Sequence, residues 1–130
     1  MFCADSSSWI PYLAGESGSD VKLLETCLQQ QSVIMCPVVL TELLSDPSRS
    51  YQARMSLLEI PLLELKDGFW MRAGITRSEL LKLKLRAALA DSLIAQFCID
   101  HKIPLHARDT DFRPFAKYSG LELVLHGLVN

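Results

Sequence analysis

At 130 residues and 14.6 kDa the chain makes one domain, residues 1–130, with no room for separate catalytic and binding domains. Hydrophobic residues at 49% and charged residues at 22% exclude a disordered chain, and a net charge of −2 excludes a protein that coats nucleic acid by bulk charge. A mean hydropathy of +0.19 is high for so short a chain and points to apolar surface covered by a partner.

The apolar run Met1 to Ala4 reads as a buried strand, ended by Asp5-Ser6-Ser7-Ser8 as a turn or helix cap. Ser8 to Leu13 reads as a helix in which Pro11 is tolerable only in the first turn. Asp20 to Gln30 has apolar residues spaced for an amphipathic helix, and Val33 to Cys36 is a second strand. Pro37 opens a helix over Val38 to Leu44, which Asp46-Pro47 stops. Tyr51 to Leu58 is predicted helical, Leu62 to Leu65 a short strand, and Phe69 to Leu85 a long helix or a broken pair. Ala90 to His101 gives the clearest helical pattern, followed by a strand at Ile103 to Ala107. A short helix at Phe112 to Tyr118 and a strand at Leu121 to Leu125 complete the chain, with Gly120 between them.

Strands alternating with helices predict an α/β domain with three layers, α/β/α, around a mostly parallel sheet of four to five strands. Chemistry in such a sheet sits outside the carboxyl ends of the strands. Acidic residues fall there: Asp5 after the first strand, Glu42 after the second, Asp109 and Asp111 after the fourth, and Asp91 at the start of the helix before it. Carboxylates brought within a few ångström need a cation to stay ionised together, and Mg²⁺ or Mn²⁺ prefers hard oxygen ligands. Each acid also has a plainer reading: Asp5 and Asp111 as helix caps, Asp109 in an Asx turn, Asp91 as a charge favoured by the helix dipole. Glu42, between Val38-Val39-Leu40 and Leu43-Leu44, reads as a carboxylate lodged in an apolar segment.

In this order and spacing, Ala4-Asp5-Ser6-Ser7 with Trp9-Ile10, Thr41-Glu42-Leu43, Ala90-Asp91-Ser92-Leu93-Ile94-Ala95 and Arg108-Asp109-Thr110-Asp111-Phe112 with Gly120-Leu121-Glu122-Leu123 resemble the PIN-domain nucleases of the VapC type. These are toxins of bacterial toxin–antitoxin pairs. The resemblance implies that Asp5, Glu42, Asp91 and Asp109, with Asp111, hold the metal and carry catalysis. It departs from the family's pattern at Ala107, where Thr or Ser is common, and in the link before Asp91, which lacks the usual glycine. The reaction it implies is metal-dependent hydrolysis of single-stranded RNA. It also implies a homodimer and a small VapB-type antitoxin lying across the active-site groove.

With the five candidate acids set aside, the rest of the chain carries +3. Ser6, Arg86, Arg108 and Arg113 are accordingly candidates for contacting substrate, Ser6 by orienting a water or carboxylate and the arginines by drawing phosphate. Trp9, Tyr12, Phe69, Trp70 and Met71 are expected on short surface helices as interface residues. His101, His106 and His126 are dispersed, and no phosphate-cradling GxxxxGK loop is present. The scattered cysteines show no CxxC spacing and read as buried free thiols of a reducing compartment. The amino-terminal residues lack a basic n-region and a long apolar stretch, so a cytoplasmic protein with no membrane span is expected. A non-catalytic scaffold of the same fold, and an RNA-processing nuclease without an antitoxin, remain the alternative readings.

Overall fold

The computed structural model describes residues 1–127. Its elements in chain order are β1 (Phe2–Ala4), α1 (Ser6–Leu13), α2 (Ser19–Gln29), β2 (Val33–Ile34), α3 (Pro37–Leu44), α4 (Tyr51–Leu58), α5 (Phe69–Lys82), α6 (Leu89–His101), β3 (Leu105–Ala107), α7 (Arg113–Tyr118) and β4 (Leu123–Leu125). A 3₁₀ turn at Thr110–Phe112 leads into α7. No helix among the described residues is long and apolar enough to cross a membrane.

The four strands form one parallel sheet in the order β2-β1-β3-β4. Cys3 pairs with Ile34 on one side and Leu105 on the other, and Leu105 pairs in turn with Leu123. The chain leaves β1 toward one edge and returns from α6 to β3 on the opposite side. The order therefore reverses between β1 and β3, the switch point beside which chemistry is expected in such a sheet.

Alternation along the strands divides the core. Phe2 and His106 stack on one face of the sheet and share a small space with Leu23 and Leu24 of α2. On the other face Cys3 lies beside Cys98 of α6 and Cys36 at the amino end of α3. Beyond that face α5 packs along α6, fixed by Phe69 against Phe97 and by a polar chain of Thr76, Gln96, Asp100 and Arg72. Arg72 grips Asp100 through both Nε and Nη2, which holds the Asp100 carboxyl below its usual pKa.

Several sequence expectations are corrected. Leu62 to Leu65 makes no strand; Leu62 forms only a parallel bridge with Met35 beyond the end of β2. Pro11 lies in the second turn of α1, where its missing N–H leaves the Ser7 carbonyl without an intrahelical partner, while its ring is buried. The helix expected over Phe69 to Leu85 is unbroken but ends at Lys82. Lys84 then turns the chain in the left-handed region, φ +60°, in the link that lacks a glycine. Trp9 and Phe69 are core residues, each 1% exposed, so they are not interface candidates. Trp70 and Met71 do face solvent.

The neighbours Phe69 and Trp70 make a direct test of this packing. Phe69→Ala should cost about 3–5 kcal/mol by leaving a cavity against Phe97, and Trp70→Ala about 0.5 kcal/mol or less. Urea denaturation of the two variants measures the difference; similar losses would contradict the inward orientation of Phe69.

Candidate metal centre

Asp5 follows β1 and caps α1. Its Oδ2 accepts the Ser7 N–H at 3.1 Å and the Ser7 hydroxyl at 2.7 Å, and among the described residues Oδ1 has no side-chain partner. Asp109 follows β3 and does the same for the 3₁₀ turn, its Oδ1 accepting the Asp111 N–H at 2.8 Å. Glu42, on α3, accepts the Ser6 hydroxyl through Oε1 at 2.8 Å. In these three acids one oxygen is anchored by the protein and, among the described residues, its companion has no side-chain partner. Asp91 lies in the first turn of α6 and, among the described residues, its carboxylate accepts no hydrogen bond. Asp5 is thus the helix cap expected of it, whereas Asp111, also expected to cap, lies inside the 3₁₀ turn that Asp109 caps.

Asp91, Asp109 and Asp111 each offer a carboxylate oxygen, and these oxygens lie within 4.8 Å of one another. Burial pushes Asp91 up to about 6, and the charges of Asp5, Asp109, Asp111 and Glu42 add to the rise. Burial likewise raises Asp5, 5% exposed, against the lowering pull of its Ser7 hydrogen bonds. Asp5 and Glu42 therefore stand close enough to act electrostatically on Asp91, although they fall outside the tight trio. Glu42 is not lodged in apolar surroundings: it lies on the exposed stripe of α3, while Val39, Leu40 and Leu43 turn inward. The apolar run around it is the opposite face of the helix.

The proposed substrate contacts divide. Arg108 is not free to bind phosphate: its Nε and Nη2 donate to the two oxygens of Asp20 at 2.7 and 2.9 Å. Asp20, at the start of α2, is only 8% exposed, and a carboxylate so covered demands a full counter-ion. The guanidinium in turn holds Asp20 below its usual pKa. Ser6 is engaged with Glu42, Arg86 forms an exposed pair with Asp111 at 3.4 Å, and Arg113 is exposed at the start of α7.

Sequence reasoning underrated Ser7. Its hydroxyl donates to Asp5 and accepts the N–H groups of Arg108 at 3.0 Å and Asp109 at 3.2 Å, tying the ends of β1 and β3 together. The only signal was a serine following the first acid. Asp20 gave no signal, because its partner lies far along the chain.

The donor set of the trio is oxygen alone, mutually repulsive and part-buried, which suits a hard divalent cation such as Mg²⁺ or Mn²⁺. Without a cation, the folded chain binds a proton at Asp91 more tightly than the unfolded chain does. The contribution of Asp91 to stability is then fully present below the ordinary aspartate range and is lost as pH rises through about 6. Asp91→Asn in metal-free buffer should melt roughly 2–5 °C above the parent at pH 7.5, with the gap closing below about pH 4. The favourable dipole effect of an acid in the first turn, about 0.3–1 kcal/mol, is the term this gain must exceed. Equal melting temperatures at pH 7.5 would contradict the repulsion.

The PIN domain family profile matches residues 2–118. Among solved structures, VapBC2 of Rickettsia felis bound to a promoter DNA fragment is similar at TM-score 0.75 and 19% identity, covering 97% of this chain and 98% of that one. A toxin–antitoxin complex from Klebsiella pneumoniae is similar at TM-score 0.70 and 17% identity, covering 99% and 100%. FitAcB from Neisseria gonorrhoeae is similar at 0.69 and 16%, covering 95% and 96%. At these identities the likeness is one of fold. No curated protein matches the chain significantly. With the profile covering nearly the whole chain and acids gathered at the switch point of a parallel sheet, the chain belongs to the PIN-domain family.

Proposed function

We propose that the chain is a Mg²⁺- or Mn²⁺-dependent endoribonuclease and the toxin of a VapBC-type toxin–antitoxin pair. The observation that carries this reading is the convergence of Asp91, Asp109 and Asp111 within 4.8 Å, with Asp5 and Glu42 acting on the same group. PIN domains are generally nucleases, and the toxin–antitoxin complexes among the structural neighbours support an antitoxin partner.

In this reading Asp5, Asp91, Asp109 and Asp111 hold the cation, and Glu42 completes the acidic wall. A bound divalent ion supplies an activated water at neutral pH and charge stabilisation for the phosphodiester. The protein's part is orientation. Ser7 fixes Asp5 relative to Asp109, Ser6 fixes Glu42, and the Arg108–Asp20 pair anchors the backbone just before Asp109. A scaffold without catalysis would have no use for this strained set of acids, which favours the enzyme.

Trp70, Met71 and Ile75 on α5 are exposed, which supports a homodimer through that helix. The free, buried Cys3, Cys36 and Cys98 fit a cytoplasmic location.

RNA cleavage by the purified chain should require Mg²⁺ or Mn²⁺ and stop in EDTA. Asp5→Asn should abolish cleavage, by about 10²-fold or more, and stay folded because asparagine caps a helix as well as aspartate does. Undiminished cleavage in EDTA by a nuclease-free preparation would sink the mechanism. For the partners, light scattering at tens of micromolar should give a dimer, and expression alone should arrest growth unless Asp5→Asn is present. A monomer, with no growth arrest, would count against the toxin reading.

A further inference from the structure

The link between α5 and α6, residues 83–88, is short and closely held. The N–H groups of Leu83 and Leu85 both donate to the Leu80 carbonyl, and that of Lys84 donates to Leu81. At its far end Arg77 Nε donates to the Ala87 carbonyl at 2.8 Å. Leu85 packs on the core and Ala87 is buried, so Arg86 between them stands outward, beside Asp111. Its Nε lies 3.4 Å from Asp111 Oδ2, and its side chain is 76% exposed. Among the described residues no other lysine or arginine forms an ion pair with Asp5, Glu42, Asp91, Asp109 or Asp111.

We propose that Arg86 is the resident counter-ion of the acid cluster and passes from Asp111 to the substrate's phosphate once the divalent ion is bound. This inference rests on the metal-dependent ribonuclease reading and names the residue that makes its site acceptable to RNA. With the acids ionised, the cluster carries five negative charges, and a divalent ion leaves it still strongly negative. A phosphodiester entering that field is repelled unless a cation stands at the mouth. Arg86 stands there, on a backbone fixed by its neighbours. Its pair with Asp111 is too exposed and too long to be a structural tie, so exchange costs little. The planar guanidinium fits phosphate oxygens as readily as carboxylate oxygens. Competition with the cation and attraction of the substrate are then two effects of one side chain, and they have opposite signs.

Calorimetric titration of Mn²⁺ into the purified chain reads the first effect, and cleavage of a single-stranded RNA oligonucleotide across a salt series reads the second. Arg86→Ala should tighten Mn²⁺ binding about two- to fivefold. It should also lower kcat/KM about tenfold or more, with the salt dependence of substrate binding shallower by about 0.7 in log–log slope. Arg86→Lys, which keeps the charge, should hold Mn²⁺ affinity near that of the parent while recovering part of the cleavage. A residue that merely orders the loop would weaken both metal binding and cleavage. A parent chain that gives no Mn²⁺ heat overturns the metal reading and this inference with it. A parent that binds Mn²⁺, with the Arg86→Ala isotherm unchanged or weaker, overturns the role of Arg86 alone.

Discussion

Mutual repulsion among carboxylates at one edge of a parallel sheet is the constraint around which this molecule is arranged. Parallel strands all end on the same side, so β1 and β3, adjacent at the switch point, deliver Asp5 and Asp109 to one edge of the sheet. The helices entering from that side add Glu42 and Asp91. Something must hold these groups against their own charge. Local hydrogen bonds do so: Ser7 joins Asp5 to the backbone of Asp109, Ser6 restrains Glu42, and the Asp111 N–H restrains Asp109. Asp91 lacks such a bond; burial first, and then the charges of its acidic neighbours, raise it to about 6, and burial raises Asp5 as well.

The pair of Arg108 with Asp20 serves this arrangement at a distance. Asp20 begins α2, and its grip on Arg108 ties that helix to the residue just before Asp109. A lysine could not replace the arginine, because both Nε and Nη2 are used on a carboxylate that is almost wholly covered. The arginine nearest the last acids in sequence is therefore unavailable to substrate, whereas Arg86, remote in sequence, stands beside Asp111.

Sequence legibility followed the range of the interaction. Asp5, Asp91 and Asp109 were readable because strand ends and helix starts are local events, and a parallel sheet forces such positions together. Helix α6 was readable to within a residue of its start because its apolar spacing is unbroken. The strand expected at Leu62 to Leu65 failed because a short apolar run does not say whether a neighbouring strand has a free edge; here only Leu62 finds one. Glu42 was misread for the same reason, since an apolar run around an acid looks alike on a buried and on an amphipathic helix. Trp9 and Phe69 were misplaced because their helices were taken as short surface helices, when both helices lay large side chains into the core. The Arg108–Asp20 pair had no local signature at all.

Beneath the acids lies a layer that sharpens the constraint. The elements that supply Asp5, Glu42 and Asp91 also supply Cys3, Cys36 and Cys98, all buried, and these thiols neighbour one another. A thiolate there would add negative charge directly under the carboxylates. Burial prevents it: Cys36 is pushed up to about 12, and Cys98 is raised well above the usual thiol range by its hydrogen bond with Cys3 and by burial. Cys36 and Cys98 therefore act as small neutral packing groups, inert to the chemistry above them. Their neutrality matters because several acids already share this edge of the sheet. Negative charge on the substrate side of the sheet can be offset by a cation from solvent or by Arg86, but charge within the core could be offset by neither.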